Sequence, residues 1–85
     1  FIALIKPQFE AGRAALDRHG IVKDRSLHVG VIEKVTDGAA GDGLFCAGLT
    51  VSPIEGGDGN REYLAVFDSE GGFDKSGIKT IVFGN

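Results

Sequence analysis

One cysteine stands in these 85 residues, at position 46. An intrachain disulfide is therefore excluded, and so is a zinc site built on several thiolates. The lone thiol lies in an apolar stretch and reads as a small core residue rather than a nucleophile. Its reduced state fits a cytoplasmic setting. No apolar run is long enough to cross a bilayer, so no transmembrane helix is expected. No Met, basic leader or cleavage pattern precedes the first apolar run, and no secretory signal is read. The abrupt start inside a strand reads instead as a piece of something longer. Excess positive charge is missing too, since nine Lys and Arg stand against twelve Asp and Glu. Residues 1–25 hold five bases and three acids, whereas 26–72 hold two bases and eight acids. If a nucleic acid is the partner, most phosphate contacts must come from elsewhere.

What is present fits one small domain. Hydrophobic content of 42% and charged content of 25% are ordinary for a globular protein. Phe1 to Ile5 is an unbroken apolar run, read as a strand buried on both faces. Lys6 marks its carboxyl end, and Pro7 forbids further ladder pairing there. Gln8 to Gly12 reads as a loop, and Arg13 to Arg18 as a helical turn closed by His19-Gly20. Asp24 is a plausible N-cap for a helix over 24–41. Leu27, Val31, Ile32, Val35 and Ala39 form its apolar stripe, with His28, Glu33, Lys34 and Asp37 largely on other faces. Leu44 to Ser52 and Arg61 to Phe67 alternate as strands. The turn-rich loop between them makes an antiparallel hairpin the simplest link. Its Gly56-Gly57-Asp58-Gly59 run is read as hairpin loop rather than phosphate cradle, because no helix N-terminus follows. The order is β-α-β-β, with a helical crossover between parallel strands and a last strand that is antiparallel.

This topology brings two polar strand ends to one rim, where open α/β sheets place their chemistry. They are Lys6, after the first strand, and Glu62, at the start of the third. Fifty-five residues apart, they become candidate neighbours. A lysine in a partly dry site can accept a proton or hold a developing oxyanion, and a carboxylate can orient it. The bland alternative is an edge salt bridge contributing at most about 1 kcal/mol. His19 and His28 have no metal-like companions, and solvent-facing or helix-terminal positions are expected for both. No metal site is expected.

Leu4-Ile5-Lys6-Pro7-Gln8-Phe9-Glu10-Ala11-Gly12-Arg13, Gly20-Ile21-Val22-Lys23-Asp24, Gly48-Leu49-Thr50-Val51-Ser52-Pro53-Ile54 and Gly59-Asn60-Arg61-Glu62-Tyr63-Leu64 follow in that order. Together they resemble the C-terminal part of the TlyA family. These proteins, often labelled haemolysins, resemble FtsJ-like ribose methyltransferases joined to an S4-type RNA-binding domain. The resemblance spans residues 1 to about 67, and Lys-Pro-Gln-Phe-Glu is its specific motif. Residues 68–85 lie outside it as a tail, in which the strand propensity at 78–83 leaves two readings, one extra strand or tail sequence that pairs opportunistically.

The resemblance implies an α/β fold, the C-terminal fragment of a Rossmann-like S-adenosylmethionine-dependent methyltransferase whose last strand is antiparallel. It implies methyl transfer from S-adenosylmethionine to a ribose 2′-hydroxyl of ribosomal RNA, in the cytoplasm. Of the Lys-Asp-Lys-Glu tetrad of FtsJ-like enzymes, Lys6 matches the second lysine and Glu62 the glutamate. The cofactor turn, the first lysine, the aspartate and the RNA-binding domain are absent from this sequence. Gly56-Gly57 also replaces the Gly-Pro common at that loop. The 85 residues are therefore expected to be inactive alone, with the cofactor bound mainly by the missing N-terminal half. Two other function classes are a membrane-acting haemolysin and a non-catalytic fragment that pairs through exposed strand edges. The first calls for a lysine-rich amphipathic helix, and 24–41 is too polar and glycine-broken to serve.

Overall fold

The structure, a computed structural model, describes residues 1–10, 12, 16–18, 20–53 and 60–84. The elements are β1 (Ile2–Ile5), α1 (Pro7–Glu10), α2 (Arg25–Gly41), β2 (Phe45–Val51), β3 (Tyr63–Asp68) and α3 (Gly77–Phe83). The three strands form one sheet in the order β1-β3-β2. β3 runs antiparallel to both neighbours, so β1 and β2 are parallel to each other. The expected crossover and hairpin are both present, and β3 returns into the gap between the two parallel strands. The turn predicted over 13–18 and the 56–59 loop reading fall largely or wholly outside the described residues.

Asp24 caps α2 as expected, its carboxylate accepting a hydrogen bond from the Ser26 N–H at 3.0 Å. At the other end the Leu44 N–H reaches the Ala39 carbonyl at 2.9 Å and the Gly43 N–H reaches that of Ala40 at 3.0 Å. Gly43 makes this closure feasible with a φ of 81°, a region that side chains with a Cβ resist. The core lies between one sheet face and the helices α2 and α3. Ile5, Tyr63, Ala65 and Phe67 meet Val29, Val31, Ile32, Ile78 and Val82 there. On the other sheet face Ile2, Leu4 and Val66 remain exposed.

Five expectations give way. β1 is not buried on both faces: Ile5 packs in the core, but Ile2 and Leu4 point to the sheet face that no helix covers and stay exposed. Pro7–Glu10 is a helical turn, not loop, because proline supplies a preset φ and lacks only an N–H that the first helical position does not use. Residues 77–83 form α3, not a strand. Their β-branched composition yields to the four-residue spacing of Ile78 and Val82, both buried in the core. The apolar stripe of α2 includes Val29 and the polar His28, while Leu27 is exposed. Strict alternation in β2 breaks at a bulge between Cys46 and Gly48. The extra residue lets Cys46 pack on the core with Leu49 and Val51 while Phe45 faces outward.

Candidate active site

The site is built where β1 ends and β3 begins. Ile5 pairs with Tyr63 as the last step of their ladder, which makes Lys6 and Glu62 the next facing positions. Pro7 then turns the chain into α1, whose first carbonyl partner is Lys6 itself. Its oxygen accepts from the N–H groups of Phe9 at 3.0 Å and Glu10 at 3.2 Å. This turn buries Pro7 and Gln8 and leaves Phe9 outside. The Lys6 ammonium rests over the Phe9 ring, 5.3 Å from its centre.

Glu62 is buried, and its carboxylate oxygen Oε2 accepts a hydrogen bond from Gln8 Nε2 at 2.8 Å. Its backbone carbonyl accepts from the Ser52 N–H at 2.8 Å, tying the site to the end of β2. Lys6 and Glu62 thus share the rim, but they form no ion pair among the described residues. The edge salt bridge considered from the sequence is not what holds them. A half-exposed cation and a buried carboxylate remain available to a polar molecule at this rim. Together they can bind a hydroxyl, orient it, and polarise or remove its proton.

A second polar cluster lies alongside. Val22 is gripped from both sides: its N–H donates to Asn60 Oδ1 at 3.1 Å, and its carbonyl accepts from His28 Nε2 at 2.8 Å. Because a carbonyl only accepts, Nε2 carries the hydrogen, and the neutral ring's Nδ1 accepts from the Tyr63 hydroxyl at 2.8 Å. Asn60 Nδ2 also donates to the Gly20 carbonyl at 2.9 Å. Burial, the dominant cause, holds the His28 pKa below the ordinary 6.5, partly offset by its bond to Val22. Of the two positions expected, solvent-facing or helix-terminal, His28 takes the helix-terminal one, in the first turn of α2, but it faces the core rather than another side of the helix. His19 lies outside the described residues. Cys46 matches its reading: the half-buried thiol donates to the Gly48 carbonyl at 3.4 Å, and burial pushes its pKa up.

Sequence reasoning passed over Gln8 and Asn60. Both were within motifs already singled out, two residues after Lys6 and two before Glu62, and that proximity was the available signal.

An α/β chain that gathers a lysine and a buried carboxylate at strand ends does so where such folds commonly build their ligand sites. The FtsJ-like methyltransferase family model matches residues 2–69, and the chain belongs to this family. It is 49% identical over 63 residues to "Putative rRNA methyltransferase YqxC" of Bacillus subtilis, covering 74% of this chain and 22% of that protein. It is 36% identical over 63 residues to "16S/23S rRNA (cytidine-2'-O)-methyltransferase TlyA" of Mycobacterium tuberculosis, covering 74% of this chain and 24% of the relative. A solved structure, "Putative hemolysin from Streptococcus thermophilus", superposes with a TM-score of 0.86 at 44% identity over 98% of this chain and 31% of that one. The chain thus spans about a quarter of the length of these curated relatives. The structural likeness takes in nearly the whole chain, so the tail at 68–85, set outside the resemblance on sequence, is shared as well.

Proposed function

We propose that this chain carries Lys6 and Glu62 as two catalytic side chains of an S-adenosylmethionine-dependent ribosomal RNA ribose 2′-O-methyltransferase, completed by the rest of a longer parent protein. The observation that carries this reading is the β1–β3 register, which makes Lys6 and Glu62 the next facing positions after Ile5 and Tyr63. A ribose hydroxyl is a poor nucleophile. It must be held in line and lose its proton as the new bond forms. Lys6 polarises that hydroxyl or takes its proton, and Glu62 fixes the ribose and the lysine through hydrogen bonds.

S-adenosylmethionine, when bound, supplies an electrophilic methyl group on its sulfonium. The two parallel strands here end in Lys6-Pro7 and Ser52-Pro53, which offer no run of backbone N–H donors for a cofactor. We therefore assign cofactor binding to the remainder of the parent and expect the 85 residues alone to be inactive. Ribosomal RNA is reached through the parent as well, in the cytoplasm, because this chain's net charge of −3 suits phosphate poorly. The membrane-acting alternative gains nothing from α2, whose Val29, Val31 and Ile32 are buried in the core. No helix among the described residues is long and apolar enough to cross a membrane.

The test is labelled-methyl transfer into ribosomal RNA by the intact parent, wild type against Lys6→Ala. Wild type should label RNA, and the variant should lose on the order of a hundredfold or more, as expected for a group that moves or polarises a proton. Labelling by Lys6→Ala at the wild-type rate would remove Lys6 from the site.

A further inference from the structure

We infer that Gln8 is a positioning residue of this site, holding the Glu62 carboxylate in its working orientation; the inference rests on the methyltransferase reading above. Gln8 is only 9% exposed and Glu62 only 7%. Gln8 Nε2 donates to Glu62 Oε2 at 2.8 Å, and no other hydrogen bond to that carboxylate is present among the described residues. The other end of the same amide, Oε1, is enclosed and has no partner among the described residues.

That pairing is uneconomical for folding alone. A buried amide oxygen without a donor is destabilising, and apolar side chains at both positions 8 and 62 would avoid the loss. What glutamine adds over leucine is one N–H aimed at one carboxylate oxygen. With Oε2 so held, the carboxylate's rotation is restricted, and Oε1 of Glu62 is left to accept from a hydroxyl or from Lys6. A neutral donor suits the task better than a cation would, because it orients Glu62 without neutralising it. α1 makes the arrangement rigid: Pro7 is buried beside Gln8, and two N–H bonds to the Lys6 carbonyl fix the turn. Lys6 and Gln8 are thus set by one short element, and Glu62 by the strand opposite.

The experiment uses the intact parent and labelled-methyl transfer into ribosomal RNA, with Gln8→Leu and Gln8→Glu compared with wild type and Lys6→Ala. Gln8→Leu removes the donor at similar volume. Its kcat should fall on the order of tenfold to a hundredfold, the worth of a hydrogen bond to a charged group, with the KM for RNA little changed. Gln8→Glu places two carboxyl groups at hydrogen-bonding distance, and such a pair holds one shared proton until the pH rises. While protonated, the introduced carboxyl donates to Glu62 as the amide did. Once ionised, it repels Glu62. The ratio of Gln8→Glu to wild-type activity should therefore be near one in acid and fall steadily as pH rises, with circular dichroism confirming the fold at each pH. A purely structural role would give no such trend. Wild-type kcat in Gln8→Leu, or a flat activity ratio in Gln8→Glu, overturns the inference while Lys6→Ala still loses activity. A wild-type parent that labels no RNA, or an active Lys6→Ala, overturns the methyltransferase site itself and this inference with it.

Discussion

Two polar clusters, one buried and one that carries the half-exposed Lys6, lie side by side where β1 ends and β3 begins, and they are finished to different degrees. In the cluster of Val22, His28, Asn60 and Tyr63, both histidine nitrogens, the tyrosine hydroxyl and both ends of the asparagine amide have partners between 2.8 and 3.1 Å. In the cluster of Lys6, Gln8 and Glu62, one amide oxygen has no partner among the described residues, and the lysine ammonium rests over an aromatic ring without forming an ion pair there. A satisfied buried network specifies a structure; an unsatisfied one lowers stability and persists for another reason. The first cluster pins the segment before α2 to the start of β3. The second is the one left with bonding capacity for a substrate. Substitutions should separate the two roles: stability should respond in the first and chemistry in the second.

The largest effect on stability should come from Asn60→Leu. It removes the partner of the Val22 N–H and of the Gly20 carbonyl while burying an apolar group in their place. One or two unsatisfied buried backbone groups make the expected loss about 2–4 kcal/mol. Urea unfolding would read this as a lower midpoint with little change in slope. A loss under half a kilocalorie, roughly the scale of a surface substitution, would break the comparison.

A smaller, graded effect follows from His28. Its folded pKa lies below the ordinary 6.5, chiefly through burial, so the unfolded chain binds the proton more readily. The stability this group contributes is therefore complete above about pH 6.5 and declines as the pH falls below it toward the folded value. Urea midpoints taken from pH 7.5 down to 5 should fall, and His28→Gln should flatten that slope even if it is less stable throughout. An unchanged slope would mean that some other group governs the acid limb.

How much of this could be read from the chain alone varies by residue. The shared rim position of Lys6 and Glu62 was legible because a strand end, a proline and an antiparallel return fix a rim without any knowledge of packing. Asp24 was legible because capping is local. His28 was misread because helical periodicity was traced through Leu27, and polarity concealed that His28 lies four residues before the fully buried Ile32. Only the three-dimensional neighbours, Val22 and Tyr63, make a histidine acceptable there. α3 was misread for the opposite reason. Its β-branched residues argued for a strand, and the local signal lost to the burial of Ile78 and Val82 against α2 and the sheet. The bulge in β2 could not be anticipated from an alternation that looked unbroken. Gln8 had no periodic or capping signal at all, since its role is a contact across 54 residues of sequence.

The smallest stability effect should be that of Lys6→Ala, and it is the sharpest form of the comparison. Among the described residues the ammonium makes no ion pair, and its contact is with a Phe9 ring that is 73% exposed. An exposed contact of this kind is worth about 0.5–1 kcal/mol, so the urea midpoint should move little. The same substitution is expected to abolish most methyl transfer by the parent. A residue whose loss leaves the fold nearly untouched and removes the chemistry is coupled to substrate rather than to structure. If Lys6→Ala instead unfolds the chain, the lysine stem is packing against the rim, and the contrast between a finished and an unfinished cluster no longer separates structure from function.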